Sequence, residues 1–338
     1  MTLVNLIKKN QILVIVTVAV IVVIVIVIYN GLQNSTVDMK LYKQLYDNHV
    51  ITEYIKNKHL DLNIGNKSIE SNKNYRIPFI IYRTWKNDKL TEQFQEAWDI
   101  TAKNNPEFTQ KLYTDLDVNN FINDFDYPGL KKAYNRLNPK YGAARADLFR
   151  YAILYKNGGF YMDIKTFAKC SIKTKLGNND GIILSKWQGT FYKGNKMFFQ
   201  NYSLTFSEKL GEWEQYWLAC EKEHPIMKAI LDRCIKNILE PHTNNLLPKD
   251  KNMLNDSSYV IFITTGPLMM TYVIDNFIIN NPDFKDYTIT RPSFDHCIQY
   301  TNFEHFDAMF KGHWTAYTKN NEKHYSQFTQ SIEPLLIY

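Results

Sequence analysis

The sequence predicts an α/β protein with a largely parallel sheet, held to a membrane by one N-terminal helix. Strand-like and helix-like segments alternate from about residue 77 onwards, which is the pattern of such sheets. Residues 12–28 are almost purely aliphatic, as in a membrane span. The overall composition, 45% hydrophobic and 22% charged over 338 residues, is that of a globular protein. A net charge of +6 is too mild for a nucleic-acid-binding protein, so no nucleic-acid partner is expected.

The N-terminal span reads ILVIVTVAVIVVIVIVI, with Thr17 as its only polar residue. A helix of this length extends roughly 25 Å, enough for the thinner bilayers of the early secretory pathway. A cleaved signal peptide would have a shorter apolar core and small residues at its cleavage site, whereas Tyr29 follows here. We therefore expect a retained signal anchor over residues 12–29.

The charges around this span predict its orientation. Lys8 and Lys9 precede it, whereas the first basic residue after it is Lys40. Because positive charges stay on the cytosolic side, residues 1–11 should be a cytosolic tail and the body should be luminal. The polar residues 30–74 then read as a stem. This is the single-pass type II topology.

Two further features agree weakly with a luminal body. Asparagines begin four N-x-S/T triplets, at Asn34, Asn66, Asn201 and Asn255. The four cysteines, Cys170, Cys220, Cys234 and Cys297, lack zinc-site spacing. They could form two disulfides or remain buried thiols, and both alternatives stay open.

In the body, short apolar runs predict strands and apolar residues at helical spacing predict helices. The strand-like runs are residues 77–82, 111–113, 160–164 and 182–184. The helical segments are residues 91–104, 118–125, 143–157 and 225–239, and a further one that opens at Gly266–Pro267 and runs to about 280. The clearest helix is 143–157, where apolar residues recur every three to four positions and a double glycine follows.

The segment from this helix into the next strand carries the candidate chemistry. The helix bears Asp147 and Arg150, the double glycine turns the chain, and the strand ends near Asp163. Ligands of open α/β sheets gather at the carboxyl ends of strands. Taken singly, Asp147 and Arg150 could be an exposed ion pair and Asp163 a turn residue, so the combination is what matters.

This combination resembles glycosyltransferase family 32, whose signature runs A-x-x-[SA]-D-x-x-R-Y-x-x-L-y-x-x-G-G-x-Y-x-D-x-D. The matching positions are Ala143, Ala146, Asp147, Arg150, Tyr151, Leu154, Gly158, Gly159, Tyr161 and Asp163. Residues 77–86 resemble the family's opening I-P-k-I-I-H-Q-T-W-k, with Tyr82 and Arg83 in place of His-Gln. Further similarities follow in order at residues 105–108 with 113–115, at 265–267 and at 313–314.

The resemblance implies a GT-A fold, a Rossmann-like nucleotide-sugar-binding domain, over residues 75–320, with 321–338 as a C-terminal tail. It implies a retaining enzyme that moves a hexose from a UDP- or GDP-sugar to a glycan or glycolipid acceptor, usually with Mn²⁺. Golgi or ER membranes, with the catalytic domain in the lumen, are the implied location.

The resemblance also implies roles for single residues. The expected catalytic residues are Asp147, Arg150, Asp163 and Lys165. The expected donor-binding residues are Thr84, Trp85, Gly158, Gly159, Tyr161, Thr265, Gly266 and Trp314. Asp163 and His313 are the expected metal ligands.

One departure from the family concerns the metal, because Lys165 stands where the second acid of D-x-D belongs. In an extended segment, two acids at positions 163 and 165 would face the same side and could bind one ion together, whereas lysine cannot coordinate the ion and its ammonium would repel it. Lys165 could instead neutralise the donor diphosphate, or metal could bind through Asp163 and a later ligand such as His313. The third alternative is a degenerate module that binds sugar nucleotide or regulates a partner without catalysis. Asp115-Leu116-Asp117 is a less favoured substitute, because Asp117 could cap the following helix.

Overall fold

A mixed sheet of six strands forms the centre of the computed structural model. The structure describes residues 75–185, 213–244, 246, 254, 257–290, 294, 297–299 and 334–337. The predicted anchor, stem and most of the C-terminal tail lie outside these residues, as do the asparagines of all four N-x-S/T triplets.

The sheet has the strand order β2-β1-β3-β6-β5-β7. Its strands are β1 (Ile80–Thr84), β2 (Thr109–Tyr113), β3 (Gly159–Met162), β5 (Ile182–Ser185), β6 (Trp217–Cys220) and β7 (Thr288–Thr290). A separate antiparallel pair joins β4 (Phe167–Ala168) to β8 (Ile298–Gln299). In the main sheet β6 is antiparallel to both neighbours, whereas the remaining pairs are parallel. The predicted α/β class with a largely parallel sheet is therefore confirmed.

The register of the parallel strands brings their carboxyl ends to one edge. Thr84 pairs with Tyr113, and Tyr82 pairs with Tyr161, so the residue after β3, Asp163, lies beside the end of β1. This edge is where ligands gather in such sheets.

Seven α-helices are described alongside these strands. They are α1 (Glu92–Asn104), α2 (Asp115–Asp124), α3 (Leu130–Arg136), α4 (Gly142–Asn157), α5 (Pro225–Leu239), α6 (Ser257–Thr264) and α7 (Pro267–Asn280). All five predicted helices are present, but α2 begins three residues earlier than predicted. Its N-cap is Thr114, whose hydroxyl accepts from the Asp117 amide while Asp117 accepts from the Thr114 amide. Asp117 is therefore the third residue of a capping box rather than the cap itself.

Side chains on the two faces of the sheet pack differently. Phe160 and Met162 belong to an apolar cluster with Ile81, Phe108 and Trp217. Alternation along the strands turns Tyr82 and Tyr161 to the other face. The middle of α4, from Asp147 to Leu154, is buried between the sheet and α5.

Among the described residues, one apolar helical stretch, Ser257–Asn280, is long enough to cross a membrane. Two thirds of its apolar window, 67%, is buried inside the protein, and the chain turns within it at Gly266, so it is a core element. The open question of the cysteines is also answered. Cys170 and Cys297 form a disulfide that joins the β4 and β8 region, whereas Cys220 and Cys234 are buried free thiols.

Candidate active site

Three charged side chains from α4 and the end of β3 form one buried cluster. Arg150 Nη2 lies 3.1 Å from Asp147 Oδ1 and 3.1 Å from Asp163 Oδ1. The Asp147 and Arg150 side chains are only 7% and 6% exposed, whereas that of Asp163 is 23% exposed. An exposed ion pair is therefore excluded. Asp163 is the most exposed member of the cluster.

The helix and the strand together orient Arg150. Asp147 and Arg150 are one helical turn apart on α4, so they face the same direction. The guanidinium lies over the Tyr161 ring, 4.6 Å from its centroid, and Nη1 donates to the Gln215 carbonyl at 2.8 Å. Because a planar guanidinium offers donors in fixed directions, these contacts leave Arg150 one orientation.

The surroundings of this cluster shift the pKa values of Asp147 and Arg150. Burial raises the pKa of Asp147 to about 6, although Arg150 and the Thr265 hydroxyl both lower it. Burial also works against the charge of Arg150, but Tyr161, Asp163 and Asp147 more than compensate, and its pKa is raised. Arg150 is therefore a permanent cation, whereas Asp147 changes charge just below neutral pH.

Thr265, at the break between α6 and α7, completes the surroundings of Asp147. Its Oγ1 donates to Asp147 Oδ2 at 2.9 Å, and its carbonyl accepts from the Tyr151 hydroxyl at 2.8 Å. Gln215 Nε2 donates to the same carbonyl at 3.2 Å. Thr265 thus lies next to Asp147, although 118 positions separate the two in sequence.

At the end of β1, Thr84 and Trp85 lie beside this cluster. Thr84 Oγ1 and the Tyr161 hydroxyl are 2.9 Å apart. The partly exposed Trp85 ring packs edge-on against Phe94, with centroids 4.8 Å apart, and its backbone amide donates to the Tyr113 carbonyl. The structure therefore brings Thr84, Trp85, Tyr161, Asp163 and Asp147 to one edge of the sheet.

Asp163 to Thr166 form a turn, which corrects the expectation of an extended D-x-K segment. The Thr166 amide donates to the Asp163 carbonyl at 2.8 Å, and the Asp163 amide donates to the Tyr216 carbonyl at 2.8 Å. β3 ends at Met162, two residues before the predicted end. Positions 163 and 165 therefore do not lie on one face of a strand.

The sequence profile of one protein family, the glycosyltransferase sugar-binding region containing a DXD motif, matches residues 37–182. The matched region makes up less than half of the chain and includes α4 and β3, which carry Asp147, Arg150 and the approach to Asp163. The match begins within the predicted stem and ends at the start of β5. Together with the sheet described above, it confirms the resemblance and the predicted GT-A-type fold.

Individual relatives are mannosyltransferases by name. The chain is 37% identical over 101 residues to inositol phosphoceramide mannosyltransferase 3 of Schizosaccharomyces pombe, covering 30% of this chain and 28% of that protein. It is 24% identical over 216 residues to the initiation-specific alpha-1,6-mannosyltransferase of Candida albicans, covering 60% and 54%. The chain therefore spans 28% to 54% of these two relatives. The solved PaToxG glycosyltransferase superposes with a TM-score of 0.42 at 15% identity, covering 61% of this chain and 74% of that one.

The family's double glycine has a packing role here, and the structure places it away from the strand end that carries Asp163. Gly158 and Gly159 lie at the start of β3, the opposite end of the strand from Asp163. Their φ angles are +66° and +102°. A Cβ on Gly158 would lie 2.6 Å from the Lys222 amide nitrogen, and one on Gly159 would lie 2.8 Å from the Ile80 carbonyl oxygen. Only glycine allows this close approach of α4, β3 and β1.

Gly266 is likewise buried, and its backbone packs on α6, where its amide donates to the Ile261 carbonyl. It caps the start of α7, directly after Thr265. His313 and Trp314, predicted from the family's closing region, lie outside the described residues.

The described residues fit a Mn²⁺ site poorly. Asp163 supplies one carboxylate, and one of its oxygens is engaged by Arg150. Lys165 places an ammonium where the family's second acid would offer an oxygen ligand. Asp117, in the substitute Asp115-Leu116-Asp117, accepts two hydrogen bonds from Thr114, which lower its pKa and hold it at the cap of α2.

A second cluster, Glu221, His224 and Asp286, has the spacing of a metal site but is already satisfied. Arg76 bridges both carboxylates. His224 Nδ1 accepts from the Ile226 amide and Nε2 donates to the Asp286 carbonyl, so neither ring nitrogen is available to a metal.

Arg83 was not among the site residues predicted from the sequence. Its side chain is 0% exposed, and it donates to the carbonyls of Asp163 and Thr166. The available signal was the replacement of the family's usual glutamine at this position.

Proposed function

We propose that the chain is a membrane-anchored retaining glycosyltransferase, moving a hexose from a nucleotide-sugar donor to a glycan or glycolipid acceptor. The observation that carries the proposal is the buried Asp147–Arg150–Asp163 cluster at the carboxyl ends of β1 and β3. It stands at the edge where an α/β sheet binds nucleotides. The match of residues 37–182 to the family of DXD-containing sugar-binding regions supports the same reaction class.

Charge supports a diphosphate as the group bound there. Arg83, Arg150 and Lys165 are cations at or behind the Asp163–Thr166 turn, against the carboxylates of Asp147 and Asp163. Three cations against two carboxylates leave one net positive charge. Arg150 Nε is also buried with no hydrogen-bond partner among the described residues, so a further acceptor can be bound there.

In the proposed mechanism, Lys165 contacts the donor diphosphate and Arg150 orients the carboxylates beside it. As the bond between the sugar anomeric carbon and the diphosphate oxygen breaks, negative charge grows on the leaving phosphate. Fixed cations stabilise that charge more than they stabilise the intact donor, which lowers the barrier. Asp147, held by Arg150 and Thr265, accepts a hydrogen bond from a sugar or ribose hydroxyl.

The remaining roles are proposals of the same kind. Trp85 and Thr84 would contact the base of the nucleotide, and Thr265 would line the sugar pocket. Trp314 and His313 would close over the diphosphate. Because one Asp163 oxygen is engaged by Arg150 and Lys165 is cationic, we favour a reaction that does not require Mn²⁺.

The location is proposed from sequence and supported by the disulfide. Residues 12–29 would anchor the chain with residues 1–11 in the cytosol and the catalytic domain in the Golgi or ER lumen. The Cys170–Cys297 disulfide is the kind of cross-link that persists in an oxidising compartment.

The test is hydrolysis and transfer by the full chain in detergent, using a panel of UDP- and GDP-linked hexoses with and without Mn²⁺ or EDTA. Turnover of one donor, abolished in Asp163→Asn, supports the proposal. Binding of UDP or GDP without turnover of any donor would favour the second candidate, a non-catalytic sugar-nucleotide module, which Lys165 in the second acid position specifically favours. Absence of both binding and turnover would contradict both.

A further inference from the structure

Arg83 grips the backbone of the Asp163–Thr166 turn. Its Nη1 donates to the Asp163 carbonyl at 3.1 Å and to the Thr166 carbonyl at 2.6 Å. The Asp163 carbonyl also accepts the Thr166 amide that closes the turn. Both ends of the turn are therefore tied to one guanidinium.

The rest of the guanidinium is fixed to elements away from the turn. Nη2 donates to Thr101 Oγ1 of α1 at 3.1 Å, and Nε donates to Gln110 Oε1 of β2 at 3.0 Å. Thr101 Oγ1 in turn accepts the Ala168 amide at 3.1 Å, just beyond the turn. The side chain thus transmits the positions of α1 and β2 directly to the turn.

Arg83 and Arg150 approach Asp163 from opposite faces of the sheet. Alternation along β1 places Arg83 on the face of Ile81, within reach of α1, whereas Arg150 lies on the face of Tyr161. Arg83 holds the Asp163 carbonyl and Arg150 holds its carboxylate. A residue engaged in this way through both backbone and side chain has little freedom to move.

The arginine charge is unfavourable for folding by itself. Its four hydrogen-bond acceptors are neutral oxygens, and burial lowers the pKa of Arg83 to about 9. Among the described residues no carboxylate is paired with Arg83 in a salt bridge, although the nearby Asp163 favours its charge. A buried cation of this kind costs free energy, so its geometry has to account for its presence. Five N–H donors in one plane reach four acceptors that a glutamine amide, with two N–H donors, could not reach together.

We propose that Arg83 is a positioning residue of the donor site, which fixes the Asp163–Thr166 turn so that Asp163 and Lys165 meet the donor diphosphate. This inference rests on the proposed function for the identity of the ligand. The anchoring of the turn does not depend on it.

The anchoring is tested by hydrogen–deuterium exchange of the full chain in detergent without ligand. In Arg83→Gln we expect faster exchange in peptides covering residues 163–168, with peptides from α5 unchanged. Gln110→Met is the matched control, since it removes one Arg83 hydrogen bond on the side away from the turn, and it should leave residues 163–168 protected. Unchanged exchange at the turn in a folded Arg83 variant would overturn the proposal. Arg83→Lys keeps the charge with a single nitrogen and serves if Arg83→Gln does not fold.

The effect on the donor site is tested by a double-mutant cycle on binding of UDP and of GDP. If Arg83 acts through the turn, Arg83→Lys should weaken binding about tenfold in the wild-type background and less than about twofold in the Lys165→Met background. Equal weakening in both backgrounds would indicate general destabilisation and would contradict the positioning role. If the wild-type chain binds neither nucleotide, the proposed function fails, while the exchange experiment still decides whether Arg83 anchors the turn.

Discussion

Replacing Thr265 by valine tests how the buried cluster keeps Asp147 ionised. The substitution preserves shape but removes the hydroxyl that donates to Asp147 Oδ2 at 2.9 Å. A hydrogen bond to a charged group contributes about 1.5–3 kcal/mol, and about 1.4 kcal/mol corresponds to one pH unit. Since burial already raises the pKa of Asp147 to about 6, losing this bond should raise it to about 7–8. At pH 7 the ionised fraction would then fall from about 90% to about 10–50%.

The assay is the pH dependence of donor hydrolysis by the full chain. If ionised Asp147 is required, wild-type activity should fall as the pH drops below about 6, and in Thr265→Val this fall should begin one to two pH units higher. Thr265→Ser is the matched control, because it keeps the hydroxyl and should keep the wild-type profile. An equal shift of the pH profile in Thr265→Val and Thr265→Ser would contradict a role of the Thr265 hydroxyl in keeping Asp147 ionised. An unchanged profile in an active Thr265→Val variant would contradict it as well.

The remaining predictions concern the metal, the packing, the cross-link and the stability. Lys165→Asp restores the family's second acid and should make donor turnover depend on Mn²⁺. Lys165→Met should lose turnover with or without Mn²⁺. If turnover by the wild type depends on Mn²⁺ as strongly as turnover by Lys165→Asp, Lys165 does not replace the metal. Gly158→Ala should lower the free energy of unfolding by about 1–3 kcal/mol in denaturant titration while leaving the donor KM of the folded enzyme unchanged, since its Cβ would meet a backbone nitrogen at 2.6 Å; a raised KM would restore a donor-binding role. Reduction of the Cys170–Cys297 disulfide should lower the free energy of unfolding by about 2–4 kcal/mol. Cys220→Ser is the control, because Cys220 is not part of the disulfide and reduction should destabilise this variant equally. No change on reduction would count against the cross-link. The pKa of Asp147 is higher in the folded chain than in the unfolded one, so the folded state binds a proton more readily and protonation of Asp147 adds stability as the pH falls from about 6 to 4. In thermal unfolding, Asp147→Asn should lack this pH-dependent gain in stability. Parallel pH profiles of stability for the two proteins would contradict the raised pKa.

Local patterns were enough to predict the elements that position the site. Apolar spacing in residues 143–157 predicted α4, and the double glycine predicted its end, because both signals act within one or two helical turns. Proline at the first position of α5 and α7 marked their starts in the same way. The family motif then predicted that Asp147, Arg150 and Asp163 would act together, which their mutual contacts agree with.

What sequence did not predict depends on long-range contacts. β6 was missed because Trp217–Cys220 is a four-residue run, buried throughout, and its identity as a strand comes from pairing with β3 and β5. The turn at Asp163 was read as extended, although the Thr166 amide closes it locally on the Asp163 carbonyl. The contacts that accompany it, from Arg83 and with the Tyr216 carbonyl, come from residues distant in sequence. The close approach of Gly158 to the backbone at Lys222 was likewise not visible in the motif, because Lys222 is distant in sequence.

The most direct test of the central claim is an experimental structure of the full chain with UDP or GDP bound. We expect the diphosphate to lie at the carboxyl ends of β1 and β3, within hydrogen-bond distance of Lys165 and beside the Asp163 carboxylate. A nucleotide bound elsewhere, with its phosphates remote from residues 163–166, would contradict it.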